Sequence, residues 1–159
     1  VQLYLPNTYK KFRREGGKNT TQKTNLFVYG TNKRGHRMNS VLGGGSTLIY
    51  PAITLLNNYD LQGYADAFPI MTLTEEGEGY RILGELYSVM PSVMDRVNSI
   101  EGGAGYIPYI VDVRPMDSNE KRVEQAITFI YPNTDKYMTL SPINSTKMSD
   151  ITGEVKVWA

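Results

Sequence analysis

Apolar positions along this chain fall mostly into short runs of strand length, separated by glycine, asparagine and charged clusters. Leu26-Phe27-Val28-Tyr29 is the first strong run, four strand formers broken abruptly by Gly30-Thr31-Asn32. Residues 47–56 read as a second strand, with Pro51 marking an edge or a bulge, and Asn57-Asn58 as a turn. Residues 59–71, which hold Gly63 and Phe68-Pro69, read as mixed strand and loop. Glu75-Glu76-Gly77-Glu78-Gly79 reads as a solvated turn at a hairpin tip. Strands are then predicted over 81–89, 107–113, 126–131 and 154–158, with a polar stretch at 117–121. Before all of these, residues 1–5 alternate enough for a short edge strand that Pro6 ends, and 7–24 are polar.

One stretch has a different period. Pro91 suits a first helical position, Val93, Met94, Val97 and Ile100 recur on one helical face, and Gly102-Gly103 is predicted to stop the helix. Asn39 is placed to cap a short helical turn through Ser40-Val41-Leu42, closed by Gly43-Gly44-Gly45. The fold class is therefore α+β: a small mixed β-barrel, closed or nearly so, with one main helix packed on it. Residues 1–24 form a polar leader and 25–159 a single domain.

Composition narrows the chemistry more than the fold. The chain has no cysteine, so disulfides, thiolate nucleophiles and zinc-thiolate sites are excluded, and a cytoplasmic setting is the expectation. His36 is the only histidine, which removes multi-histidine metal sites and histidine triads within one chain; beside Arg34 and Arg37 it reads as a solvated loop residue. No apolar run reaches the ~18 residues of a membrane span, and the first residues do not read as a signal peptide. Formal charge is +1 but uneven: Lys10, Lys11, Arg13, Arg14, Lys18 and Lys23 against Glu15 put +5 on residues 1–24 and leave −4 on the rest. Such a leader is a solubilising tail or an arm for an acidic surface. A nucleic-acid role is the weaker reading, since aromatics are few and no basic helix face repeats.

Three places could carry chemistry. The turn after Tyr29 delivers polar groups at the end of a rigid strand, although any core strand can end in such a turn. Gly43-Gly44-Gly45 with Ser46-Thr47 invites a phosphate loop, but no lysine follows and no long helix opens there. Glu101 stands near the helix C-terminus, where the partial negative charge of free carbonyls disfavours a carboxylate. That field, with partial burial behind Ile100, would raise its pKa and make it a better base near neutral pH; a solvent-facing glutamate is the alternative. Glu85 is the rival carboxylate, read as structural or as supporting a site, on a strand where it could point either way.

The run Leu26-Phe27-Val28-Tyr29-Gly30-Thr31, followed by Gly35 and Asn39, resembles the opening signature of the γ-glutamylcyclotransferase-like (AIG2-like) superfamily. The likeness continues through Gly84-Glu85-Leu86-Tyr87-Ser88-Val89, through Val97-Asn98-Ser99-Ile100-Glu101-Gly102, and to Tyr106, nearest the γ-glutamylamine cyclotransferase type. Phe68-Pro69 and residues 126–131 fit weaker positions. Asn98 stands where aspartate is usual and Asn32 where leucine is usual.

The resemblance implies that the α-amine of a γ-glutamyl group attacks its own side-chain amide carbonyl, giving 5-oxoproline and a free amine. It implies no metal and no cofactor, with a small γ-glutamyl compound as the partner and a monomer or weak homo-oligomer. Glu101 would be the general acid/base, and Tyr29, Gly30, Thr31, Asn32 and Tyr106 would bind substrate, with backbone N–H groups of the turn holding the carboxylate or oxyanion. The same fold without catalysis, binding a small ligand or a protein, is the alternative.

Overall fold

The computed structural model describes residues 22–30, 33, 39–64, 68–75, 77–117, 122–132, 140–148 and 153–158. The proposed edge strand at 1–5, the rest of the leader up to residue 21, Thr31, Asn32 and His36 lie outside the described residues.

Five strands close on themselves. β1 (Thr24–Val28), β2 (Ser46–Thr54), β5 (Arg81–Val89), β6 (Ile107–Pro115) and β7 (Glu124–Ile130) follow the order β1-β7-β6-β2-β5, and β5 pairs back onto β1. All of these pairings are antiparallel except β1 with β7, which is parallel through Leu26 and Ile127. The barrel is thus mixed and closed, as the strand pattern suggests. Pro51 falls where β2 gains its second neighbour: pairing with β6 starts only at Ala52, and the register with β5 shifts between Leu48 and Tyr50. A residue without an N–H belongs at such a discontinuity.

Residues 59–71 hold two strands, β3 (Tyr59–Tyr64) and β4 (Phe68–Leu73), which pair in full register from Tyr59↔Leu73 to Tyr64↔Phe68; residues 65–67 between them lie outside the described residues. Gly63 packs against the Trp158 ring, and Pro69 stands opposite it. One expectation needs correcting: the acidic turn at 75–79 is not a hairpin tip. It carries the chain from the sheet of β3 and β4 to barrel strand β5, held by bonds from the Gly79 N–H to the Asn57 carbonyl (2.9 Å) and the Tyr80 N–H to the Tyr59 carbonyl (2.7 Å). Two two-residue strands, β8 (Ser141–Pro142) on β3 and β9 (Thr146–Lys147) on β10 (Glu154–Val157), complete the sheets; β10 runs parallel to β5.

Strand alternation sorts the core into two layers. Phe27 and Tyr29 join Ala52, Ile82, Leu86, Val111, Val113, Ala126 and Ile130 inside the barrel, where Tyr59, Leu61 and Met71 of the smaller sheet also pack. Leu26 and Val28 point the other way, to Ile127, Phe129 and the buried face of α1 (Pro91–Gly103). That face is Val93, Met94 and Val97. Ile100, expected to join it, is 40% exposed. Glu101, seven residues after Met94 and four after Val97, lies on the same side of the helix and is half-buried. Among the described residues, no helix is long and apolar enough to cross a membrane.

Candidate active site

The helix ends on the double glycine, as expected. Gly102 and Gly103 are its last two residues, and the break comes at Gly105, which adopts φ +95. The Gly105 N–H donates to the Gly102 carbonyl (3.1 Å) and the Tyr106 N–H to the Glu101 carbonyl (3.0 Å). These 5→2 and 6→1 bonds make a Schellman motif, with Glu101 three places before the cap and Tyr106 just after the left-handed glycine. A backbone hydrogen bond thus fixes Glu101 and Tyr106 relative to each other. Gly105 has a second constraint: a Cβ there would lie 2.8 Å from the Tyr131 hydroxyl.

Around this corner the ends of several strands meet. Tyr29 follows β1, and its hydroxyl donates to the Phe129 carbonyl on β7. Tyr131 follows β7, its ring edge-on to Tyr106 at 5.4 Å, its N–H bonded to the Met71 carbonyl of β4 (2.9 Å). Tyr106 donates its hydroxyl to the Pro69 carbonyl, also on β4 (2.9 Å). Gly30 lies against Pro69, where a Cβ would come within 2.7 Å of the ring. The result is a three-tyrosine corner with Glu101 beside it.

The electrostatics register that proximity. Burial pushes the Tyr29 phenol well above its ordinary pKa, and the nearby Tyr106 and Glu101 add to the rise, while a backbone hydrogen bond from Met71 opposes it. Glu101, Tyr29 and Tyr106, singled out from the sequence, therefore share one neighbourhood. Gly30 adjoins it through Pro69. Thr31 and Asn32 lie outside the described residues.

Glu85 belongs to a different network. On β5 it stands opposite Val28, and it accepts a hydrogen bond from the Tyr87 hydroxyl (3.2 Å), which in turn accepts from Asn39 (3.2 Å). Its charge favours the protonated form of Lys33, whose pKa burial lowers. Sequence reasoning missed Lys33 and Tyr131. A lysine in a polar, basic stretch reads as solvated, and nothing local shows that Tyr131 will lie under Gly105. The glycine triplet, by contrast, is a plain 3₁₀ turn (Gly43–Gly45) running into β2, in keeping with rejecting a phosphate loop.

Comparison with known proteins agrees with this architecture. The family model described as gamma-glutamyl cyclotransferase, AIG2-like, matches residues 26–148. An Arabidopsis thaliana protein named "Putative gamma-glutamylcyclotransferase At3g02910" is 32% identical over 83 residues, which cover 50% of this chain and 44% of that one. The chain thus spans less than half the length of this curated relative. The structure of an AIG2-like protein from Mus musculus is similar at a TM-score of 0.64 and 18% identity, covering 79% of this chain and 89% of that chain. A structure named gamma-glutamyl cyclotransferase has a TM-score of 0.57 at 14% identity, covering 77% of this chain and 72% of that one. Likenesses at such low identity show a common fold.

Proposed function

The chain belongs to the gamma-glutamyl cyclotransferase, AIG2-like family, and from that premise we propose that it cyclises a γ-glutamyl compound to 5-oxoproline, releasing a free amine or amino acid. The observation that carries this reading is the Schellman corner, which holds Glu101 beside Tyr106 and within electrostatic reach of the buried Tyr29.

In the proposed reaction, Glu101 takes a proton from the substrate α-ammonium. The freed amine attacks the γ-carbonyl carbon, forming the ring C–N bond. Glu101 returns that proton to the departing nitrogen as the C–N bond to the original amine breaks, and then passes the second proton of the ring nitrogen to the released amine, leaving a neutral lactam and an ammonium. Atoms and charge balance without water, a metal or a cofactor.

Ring closure gains mainly from orientation, so the rigid tyrosine corner would serve as the wall that folds the substrate back on itself. Tyr29 and Tyr106 give their hydroxyls to backbone carbonyls. Their role in this reading is to shape the site and line it. Holding the substrate carboxylate or the oxyanion falls to the turn that Gly30 opens, with Thr31 and Asn32.

The test is incubation of purified protein with γ-glutamyl amines, γ-glutamyl dipeptides and glutathione, reading 5-oxoproline by mass spectrometry. Release from at least one compound, absent in Glu101→Gln, is expected. No release across the panel overturns the enzyme reading. Thermal stabilisation by a γ-glutamyl compound that survives Glu101→Ala, without turnover, would support the non-catalytic binding alternative.

A further inference from the structure

Lys33 is 9% exposed, an unusual burial for a lysine. Its N–H donates to the Gly30 carbonyl (3.0 Å), closing the turn that follows β1. Its ammonium donates to the Trp158 carbonyl, just past the end of β10. A buried ammonium is tolerated only with such partners, and a charge-assisted bond to a carbonyl is among the stronger neutral-to-ion contacts. Glu85, on the strand beside β1, supplies the balancing charge.

The acceptor is itself well anchored. The half-buried Trp158 ring packs on the inner core and against Gly63 of β3, 3.2 Å from where a Cβ would be. β10 is paired with β5, and its Lys156 ammonium, itself buried, bonds Asp60 of β3 at 2.8 Å and faces the Tyr80 ring at 4.3 Å. The family match ends at residue 148, before β10 begins at Glu154. The strand that receives Lys33 thus comes from outside the matched segment.

We propose that Lys33 is a positioning residue: by joining the Gly30 turn to the Trp158 carbonyl, it makes the C-terminal strand a structural part of the substrate site. The inference rests on the γ-glutamyl reading for its consequence and on the Lys33–Trp158 bond for its basis. The side chain acts through the backbone of the turn. The role inferred for the turn here is the grip on the substrate carboxylate, which substrate and transition state share, so loosening it weakens binding more than it slows chemistry.

Lys33→Met keeps the aliphatic stem and removes the ammonium, whereas Lys33→Arg keeps charge and donors. For a turned-over γ-glutamyl compound, Lys33→Met should raise KM about 10-fold or more, the effect of one charge-assisted hydrogen bond, with kcat within about threefold. Lys33→Arg should recover most of the loss. Hydrogen exchange at the amides of residues 27–33 should quicken in Lys33→Met and return towards wild type in Lys33→Arg. Unchanged exchange in Lys33→Met overturns the proposal, as does a loss confined to kcat. If wild type turns over nothing in the panel, the γ-glutamyl reading fails by itself, while the exchange comparison still decides whether Lys33 holds the turn.

Discussion

Two glutamates flank the Tyr29-Gly30 turn, and they are built in opposite ways. Glu85 sits mid-strand on β5, opposite Val28, accepting from the Tyr87 hydroxyl, and its charge favours the protonated form of Lys33. Glu101, half-buried near the end of α1, is tied to Tyr106 by a backbone hydrogen bond and lies within electrostatic reach of Tyr29, with the helix's last carbonyls close by. A carboxylate that balances a cation has a structural task in its ionised form. In the proposed reaction Glu101 is instead the group that would gain and lose a proton. Their difference separates a support from a candidate base.

The sharpest way to break this comparison is to neutralise each in turn. Glu101→Gln should lower kcat by about 10²–10⁴-fold, the usual worth of general acid–base catalysis. Its melting temperature should stay within about 2 °C of wild type, since glutamine keeps the shape of the side chain and an accepting oxygen. Steady-state release of 5-oxoproline and calorimetry read the two quantities. If Glu85→Gln shows the large kcat loss and Glu101→Gln does not, the assignment of roles is reversed.

Gly105→Ala should come next in size. It forces a side chain into φ +95 and against the Tyr131 hydroxyl, a strain of about 1–3 kcal/mol. Because the same glycine closes the corner that aims Glu101, kcat should fall along with the melting temperature. Gly102→Ala and Gly103→Ala meet nothing within 4 Å and are helical, so they should be neutral or slightly stabilising. Calorimetry on the three variants tells which glycine ends the helix in solution.

Glu85→Gln should act on stability more than on turnover. An amide can still accept from Tyr87 but no longer balances Lys33, so a loss of about 1–2 kcal/mol is expected, seen as a drop of about 3–6 °C in melting temperature. A melting temperature equal to that of wild type would remove Glu85 from the support network.

Much of the scaffold was legible because it is local. The span 81–89 is β5 to the residue, Pro91 opens α1, and Pro51 marks a break in β2 pairing. What pattern could not supply is non-local. Nothing in residues 24–28 announces a parallel neighbour a hundred positions later, yet the β1–β7 pair closes the barrel. The candidate site divides the same way. Glu101 could be found from its place at the helix end, whereas the apolar face reads on to Ile100, which is 40% exposed. Gly105 was hidden behind two nearer glycines, and Lys33 behind a composition that reads as solvated.

A third carboxylate supplies the smallest and most selective test. Glu124 on β7 accepts from the Tyr50 hydroxyl (3.1 Å), lies 3.3 Å from the Arg122 guanidinium and receives the Asn25 amide at 3.3 Å. Like Glu85, it holds a tyrosine, but outside the three-tyrosine corner. The Tyr50 phenol is pushed up to about 12, first by burial and then by Glu124. An acid whose folded pKa is raised keeps its proton after the unfolded chain has lost it. Its stabilising effect is therefore complete below pH 10 and drains away between pH 10 and about 12. Glu124→Gln removes the negative charge, so Tyr50 should titrate at lower pH, and phenolate absorbance measured below the alkaline unfolding transition reads that shift. Release of 5-oxoproline should be unchanged, because Glu124 supports a barrel seam rather than the Schellman corner. A fall in turnover as large as that of Glu101→Gln would mean that carboxylates across the barrel act on the chemistry, and the contrast between support and base would fail.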